Sequence, residues 1–359
     1  QNIFTQKSVY QLFTIKPLII VVVLFILYSC GGVKSRKNGF YSTSQLEQQF
    51  YKGQFTGVLV VDPMTKDTLY AKNPEKYFTP ASTVKIFALY TGLQLLQERI
   101  HALKSLLKQD TLYVQGTGDP TWLHPHFKDS TGIAFLNAHK NIALYLDNFD
   151  EEKFGPGWAW EDYPYYFSPE RSVLPLYGNV VTFHEKDTLT VSPSFFEKDV
   201  TRKAAKNNRA LFTNTFNVPT ALKDTLVVPY TTDEELTEQL LATHLSGTLR
   251  LSSYFPEGQK DILYGISTDS IYKQMLVESD NFLAEQLMLT ASSTLSDTLS
   301  FKRSRDTILS KYLGKLSTPP RWVDGSGLSR YNLFTPSSMT TVLSKLLEEV
   351  PNDRLFALF

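Results

Sequence analysis

Cysteine is almost missing from this chain: among 359 residues, Cys30 carries the one thiol. A single cysteine forms no internal disulfide, so a packed core and its hydrogen bonds must hold the mature domain together. Net charge is missing too, with 36 Lys and Arg against 36 Asp and Glu. No basic stripe offers a footprint for nucleic acid, and no acidic tail marks a solvating segment. Internal repeats and low-complexity tracts are absent, which excludes a solenoid or a long linker. No apolar run is long enough for a comfortable membrane span. His124 and His126 form a His-x-His pair without a third ligand. The pair reads as loop residues beside Trp122, and neither a metal nor another cofactor is expected.

What is present is enough apolar material for a sizeable core: 42% of the residues are hydrophobic and 13% aromatic. The length favours two domains, one of which can be inserted in the other. Residues 1–30 read as a signal peptide, with Lys7 and Lys16 ahead of the uncharged run from Pro17 to Leu27. The run ends in Leu27-Tyr-Ser-Cys-Gly-Gly32, which looks like a bacterial lipobox. Cys30 would then be the lipidated first residue of the mature protein; the alternative is a short membrane anchor with an incidental cysteine. Residues 31–39 form a polar tether. The chain starts without Met and stops at Phe359 just after a helical stretch, so it is read as C-terminally truncated.

Residues 57–62 and 68–72 are β-rich runs joined by a turn and predict a hairpin. Helical spacing of Val84, Phe87, Ala88, Leu95 and Leu96 follows, with Pro80 just upstream. The texture then changes to short strands at 111–115, 141–147, 178–183 and 187–193, with a helix over 233–244. Helices return at 268–278, 282–292 and 336–349, the last starting at Thr335-Pro336. The expected organisation is an α/β catalytic unit of residues 40–100 and 262–359, interrupted by a β-rich inserted domain over 101–261.

Two short patterns carry chemistry. In Ser82-Thr-Val-Lys85 the serine and lysine lie three apart, on one face of a helix start. A serine hydroxyl becomes nucleophilic when a neighbouring base takes its proton, and burial lowers the proton affinity of lysine enough for it to serve. The bland reading is a capping serine and a solvated lysine. In Ser279-Asp-Asn281 the outer residues would project to one side of an extended loop, a proton relay from Ser279 beside the amide of Asn281. The bland reading here is a helix cap.

Together, and in this order, the two patterns belong to the signature of class A β-lactamases and penicillin-binding proteins. Their flanks sharpen the likeness. Pro80-Ala-Ser-Thr-Val-Lys85, Ser279-Asp-Asn-Phe-Leu-Ala-Glu285, Gly116-Thr-Gly-Asp-Pro120, Gly155-Pro-Gly-Trp158 and Asp324-Gly-Ser-Gly-Leu-Ser-Arg330, with Asn332 and Thr335-Pro336 beyond, resemble segments of one family. That family is the class C low-molecular-mass penicillin-binding proteins, the S13 family of D-Ala-D-Ala carboxypeptidases. The resemblance implies a penicillin-binding-protein/β-lactamase-like serine transpeptidase fold. It implies Ser82 as nucleophile, Lys85 as base, Ser279 as relay and Asn281 as a substrate-binding amide. It implies peptidoglycan stem peptides as substrate, β-lactams as covalent inhibitors and a place in the periplasm or cell envelope. Family members carry an insert in the long gap between Ser82 and Ser279. The family's third motif, Lys-Thr-Gly, does not occur in this sequence. The rival readings are a catalytically silent wall-binding lipoprotein and a β-lactamase or esterase of the same fold. Trp158 and Trp160 read as core or loop packing, Glu285 as a salt-bridge partner, and Asp324 as the brace of a glycine turn.

Overall fold

A computed structural model of the chain describes residues 53–359; the apolar run, Cys30 and the tether lie outside the described residues. Strands β1 (Val58–Val61) and β2 (Thr68–Lys72) pair antiparallel. The Asp62 carboxylate pins the turn between them by accepting from the N–H groups of Met64 and Thr65, at 2.8 and 3.0 Å. A 3₁₀ turn, Ala81–Val84, runs directly into α1 (Lys85–Leu95). Val84, Phe87, Ala88, Leu89 and Tyr90 are all buried, so this helix is enclosed instead of presenting one apolar stripe. Phe87 meets the edges of Trp322 and Phe334 at 5.3 and 4.8 Å between centroids.

The chain continues through β3 (Arg99–Lys108), β4 (Thr111–Gly116), α2 (Thr131–Asn137) and β5 (Asn141–Tyr145). Then follow β6 (Val180–Glu185), β7 (Leu189–Ser192), β8 (Val200–Arg202), β9 (Phe216–Val218) and β10 (Leu226–Pro229). Next come α3 (Glu234–Ala242), β11 (Thr248–Leu251) and β12 (Asp261–Ser267). The five-stranded sheet runs β11-β5-β4-β3-β12, with β4–β5 and β5–β11 parallel. A second sheet runs β10-β6-β7, and β8 pairs with β9. Arg99 at the start of β3 pairs with Ser267 at the end of β12, so the chain enters and leaves this β-rich stretch at one point.

Five helices close the fold: α4 (Thr268–Val277), α5 (Asn281–Ser293), α6 (Phe301–Thr307), α7 (Pro336–Glu349) and α8 (Asn352–Leu358). The start of α7 is set as the sequence suggests, by Thr335 and Ser338 in a capping box with Pro336 in the first turn. Helix α5 is buried from Phe282 to Ser293 and packs on α1. Gly57–Phe359 forms one compact unit by its contacts. Side chains from the β-rich stretch help to bind it: Lys104 donates to Asp297 at 2.9 Å, and Asn148 to the carbonyls of Gly116 and Asp297. Among the described residues no helix is long and apolar enough to cross a membrane.

Candidate active site

The enclosed helices α1 and α5 decide the geometry, because residues at their N-terminal ends meet. Lys85 opens α1 and is 2% exposed. Its Nζ lies 3.2 Å from Ser82 Oγ and donates to Asn281 Oδ1 at 2.6 Å and to the Ser326 carbonyl at 2.8 Å. Asn281, the first residue of α5, is fixed in turn by donating its Nδ2 to the Phe167 carbonyl at 3.0 Å. Thus Ser82, Lys85 and Asn281 converge across 196 residues of sequence.

The bland reading of the first motif, a capping serine and a solvated lysine, does not hold, whereas the helix-cap reading of the second holds at Asp280. Lys85 is not solvated. Ser82 is exposed and makes no capping bond, because the helical turn opens at Pro80. At the other motif the cap is Asp280, which accepts from Leu283 N–H at 2.9 Å, and this leaves Ser279 and Asn281 free of that duty. The loop is not extended at Ser279: its φ of 53° lies in the left-handed region, a conformation a serine adopts only where its surroundings impose it. Ser279 is exposed, and its hydroxyl is not among the hydrogen-bond partners of Lys85.

Burial holds the proton affinity of Lys85 down, to a pKa of about 8, against the opposing pull of Glu285, Asp280 and Asp324. Two of its three acceptors are carbonyl oxygens, which can only accept. Once Lys85 is neutral, those two oxygens keep its two N–H bonds and leave the lone pair for the Ser82 hydroxyl. The arrangement can therefore draw a proton from Ser82 at mildly alkaline pH.

The Asp324–Arg330 segment builds the third side. Asp324 is fully buried and accepts four hydrogen bonds: from Gly327 N–H (2.9 Å), Ser329 N–H (2.6 Å), Asn332 Nδ2 (2.6 Å) and Trp158 Nε1 (2.8 Å). It braces a glycine turn, as the sequence suggests, and Trp158 serves as one of the braces. Trp160 departs from expectation. It is 74% exposed, because the single 3₁₀ turn Trp160–Asp162 that carries it buries nothing. Gly327 sits against the Ala81–Val84 turn with φ 85°, and a Cβ there would lie 1.9 Å from the Ala81 carbonyl. Gly327→Ala is accordingly expected to lose activity and to lower the melting temperature by several degrees. The left-handed backbone alone costs ~1–2 kcal/mol for Ala, before the clash is relieved. Circular dichroism melts check it; an unchanged melt would contradict this packing.

Residues that the sequence did not single out complete the site. Phe167 and Ser326 contribute backbone carbonyls. Gln286 donates to the carbonyls of Gly118 and Ser172, tying the Gly116–Pro120 segment to α5. Arg171 lies 3.6 Å from Glu285, both 1% exposed. Glu285 is thus a buried ion-pair partner, as expected. The signal available for Gln286 was only that a polar residue stands in a mostly apolar helical stretch, and Arg171, among Ser168, Pro169, Glu170 and Ser172, carried none. Among the described residues no three His, Cys, Asp or Glu side chains gather as a metal site, and His124 Nδ1 accepts from His126 N–H at 3.2 Å.

The model of the D-Ala-D-Ala carboxypeptidase 3 (S13) family matches residues 43–215 and 234–357. A D-alanyl-D-alanine carboxypeptidase from Actinomadura sp. (strain R39) is 28% identical over 143 residues, 36% of this chain and 26% of that protein. The matched part is therefore about a quarter of that relative's length. The fold is shared with penicillin binding protein 4 (dacB) from Haemophilus influenzae, at TM-score 0.64 and 20% identity over 88% of this chain and 80% of that one. The same protein in complex with a β-lactam aligns at TM-score 0.55 and 19% identity, over 88% and 79%.

Proposed function

Because the chain belongs to the D-Ala-D-Ala carboxypeptidase 3 (S13) family, we propose that it is a serine peptidase of peptidoglycan stem peptides, a carboxypeptidase or endopeptidase that works through an acyl-enzyme and is acylated by β-lactams. The observation that carries the reading is Lys85, buried, held by two carbonyl oxygens and facing the exposed Ser82 hydroxyl at 3.2 Å.

In this mechanism Ser82 Oγ attacks the carbonyl carbon between the two D-alanines, and its proton passes to Lys85. The tetrahedral intermediate collapses by breaking the C–N bond. The leaving D-Ala nitrogen takes up a proton that Ser279 relays. Water then attacks the ester at Ser82, releasing the shortened peptide as a carboxylic acid and returning the proton to Ser82. The Asn281 amide, anchored on the Phe167 carbonyl, orients Lys85 and borders the substrate. Residues 101–261 are an insert in the catalytic unit, a reading supported by the pairing of Arg99 with Ser267, residues that flank the stretch on either side.

The test is to incubate the full-length protein with a labelled penicillin and locate the adduct by mass spectrometry. An adduct on the peptide containing Ser82 supports the reading; no adduct hands the protein to the silent wall-binding alternative. Turnover of the penicillin at high rate would make it a β-lactamase instead.

A place outside the cytoplasm, anchored by lipid at Cys30, completes the proposal. Cys30→Ala is expected to move the protein from the detergent phase to the soluble fraction, or to block its processing. An unchanged partition together with an intact N-terminus would leave only a simple membrane anchor.

A further inference from the structure

Glu285 has no place in the acyl transfer just described, yet it is buried two hydrogen bonds from the base. Its Oε1 accepts from the Ser326 N–H at 2.8 Å, and the carbonyl of the same Ser326 accepts from Lys85 Nζ at 2.8 Å. Glu285 holds the peptide just ahead of the Ser326 Cα, and the next peptide, which carries this carbonyl, is held at its own nitrogen, where Gly327 N–H donates to Asp324 Oδ1 at 2.9 Å. Two carboxylates therefore aim one carbonyl at the lysine. We propose that Glu285 is a positioning residue for Lys85: it fixes the Ser326 carbonyl that holds the amine, and its negative charge governs when the amine gives up its proton. This rests on Lys85 being the base of the proposed acyl transfer.

The electrostatic surroundings agree in sign. Three carboxylates hold the proton on Lys85 against burial, and Glu285 has the largest effect, ahead of Asp280 and Asp324. Glu285 is itself pushed up to about 7 by burial and by Asp324, with Arg171 opposing. The charged groups that face the pair are thus Asp280 from the cap of α5, Asp324 from the glycine turn and Arg171 from the segment ahead of β6. Glu151 stands behind Arg171 at 3.6 Å. The second carboxylate oxygen, Oε2, is buried without a hydrogen-bond partner and lies 3.6 Å from Arg171. An ionised Glu285 attracts protons to Lys85 and a neutral one does not. Its charge thus keeps Lys85 a strong base that is fully deprotonated only at alkaline pH. Without that charge Lys85 would be free at lower pH, and weaker.

The experiment reads the acylation rate of the full-length protein by a fluorescent penicillin across pH 5–10. In E285Q the amide oxygen still accepts from Ser326 N–H, so the contact survives and the charge does not. The acidic limb of the profile is expected to move down by about 0.5–1 pH unit, and the plateau to fall about 3–10-fold because a weaker base draws the proton less well. E285M, which removes contact and charge together, should show the same shift with a lower plateau. A lower plateau with an unmoved limb in both variants means that Glu285 only supports the fold, and overturns the proposal. Should neither variant fold, E285D keeps the charge and its limb must stay at the wild-type position; a displaced limb there overturns the proposal too. A wild type that takes no label at all removes the acyl-transfer reading instead, so the two failures are distinct.

Discussion

Ser82→Ala is expected to form no covalent adduct with a labelled penicillin, at any pH and any incubation time, while folding as the wild type does. The hydroxyl at position 82 is the one placed 3.2 Å from a buried, activated amine. Thr83, the neighbouring hydroxyl, donates to the Pro80 carbonyl at 2.6 Å and is directed away from Lys85. Water cannot replace the lost group, because a covalent product needs an atom of the protein. The stability forecast is as definite. Serine often caps a helix at about 1 kcal/mol, yet Ser82 makes no capping bond and is exposed. Its loss should therefore move the melting temperature by less than about 2 °C, the scale of a surface substitution. Gel fluorescence and a thermal melt on one preparation settle both points. An adduct surviving in Ser82→Ala would move the nucleophile elsewhere.

Much of this site was legible in the sequence because its parts are spaced by helical geometry or gathered in short runs. Ser82 and Lys85 are three apart, and that spacing holds whatever surrounds them. Asp324, Gly327 and Asn332 sit within nine residues, so the glycine turn could be read locally. The carbonyls of Phe167 and Ser326 could not: any residue supplies a carbonyl, and only the fold decides which one points at Asn281 or Lys85. Trp158 reaches Asp324 across 166 residues, a pairing no local pattern contains. The fold divides the same way. Strands β1, β2 and β4 to β7 and helices α1, α3, α4, α5 and α7 appear within a few residues of their expected limits, since turns and caps punctuate them; the short strands β8 to β12 and helices α2, α6 and α8 went unread. Strand β3 was not read. It lies between β4 and β12 and is buried from Ile100 to Leu106 apart from the half-covered end, so it lacks the alternation that marks a half-exposed strand. Its apolar residues Ile100, Leu103 and Leu107 even fall near helical spacing.

Lys85→Ala is expected to cut penicillin acylation by about 10²–10⁴-fold, the usual worth of a positioned general base. The residual rate should lose the wild-type rise in pH through about 8, since that rise belongs to the amine. The same substitution has a signature in stability that a structural lysine would not produce. In the folded chain Lys85 releases its proton near 8, whereas the unfolded chain keeps it to its ordinary value of 10.5. Between these limits the unfolded state binds more protons, so wild-type stability gains a contribution as pH rises through that window. The full contribution is on the order of 3 kcal/mol, at about 1.4 kcal/mol per pH unit. Below pH 8 the same difference is a standing cost of keeping an ammonium in a dry site. The alanine variant has neither the cost nor the rise. It also leaves Asn281 Oδ1 and the Ser326 carbonyl without their donor, a loss of about 1–3 kcal/mol for each buried acceptor that water does not reach. The absolute stability of the variant therefore hangs on two opposing effects of similar size. The difference between wild type and variant does not: it must grow with pH between 8 and 10 in favour of the wild type. Urea titrations of both proteins at pH 7, 8, 9 and 10 measure it, and parallel curves across that range would mean that Lys85 keeps its proton and is not the base.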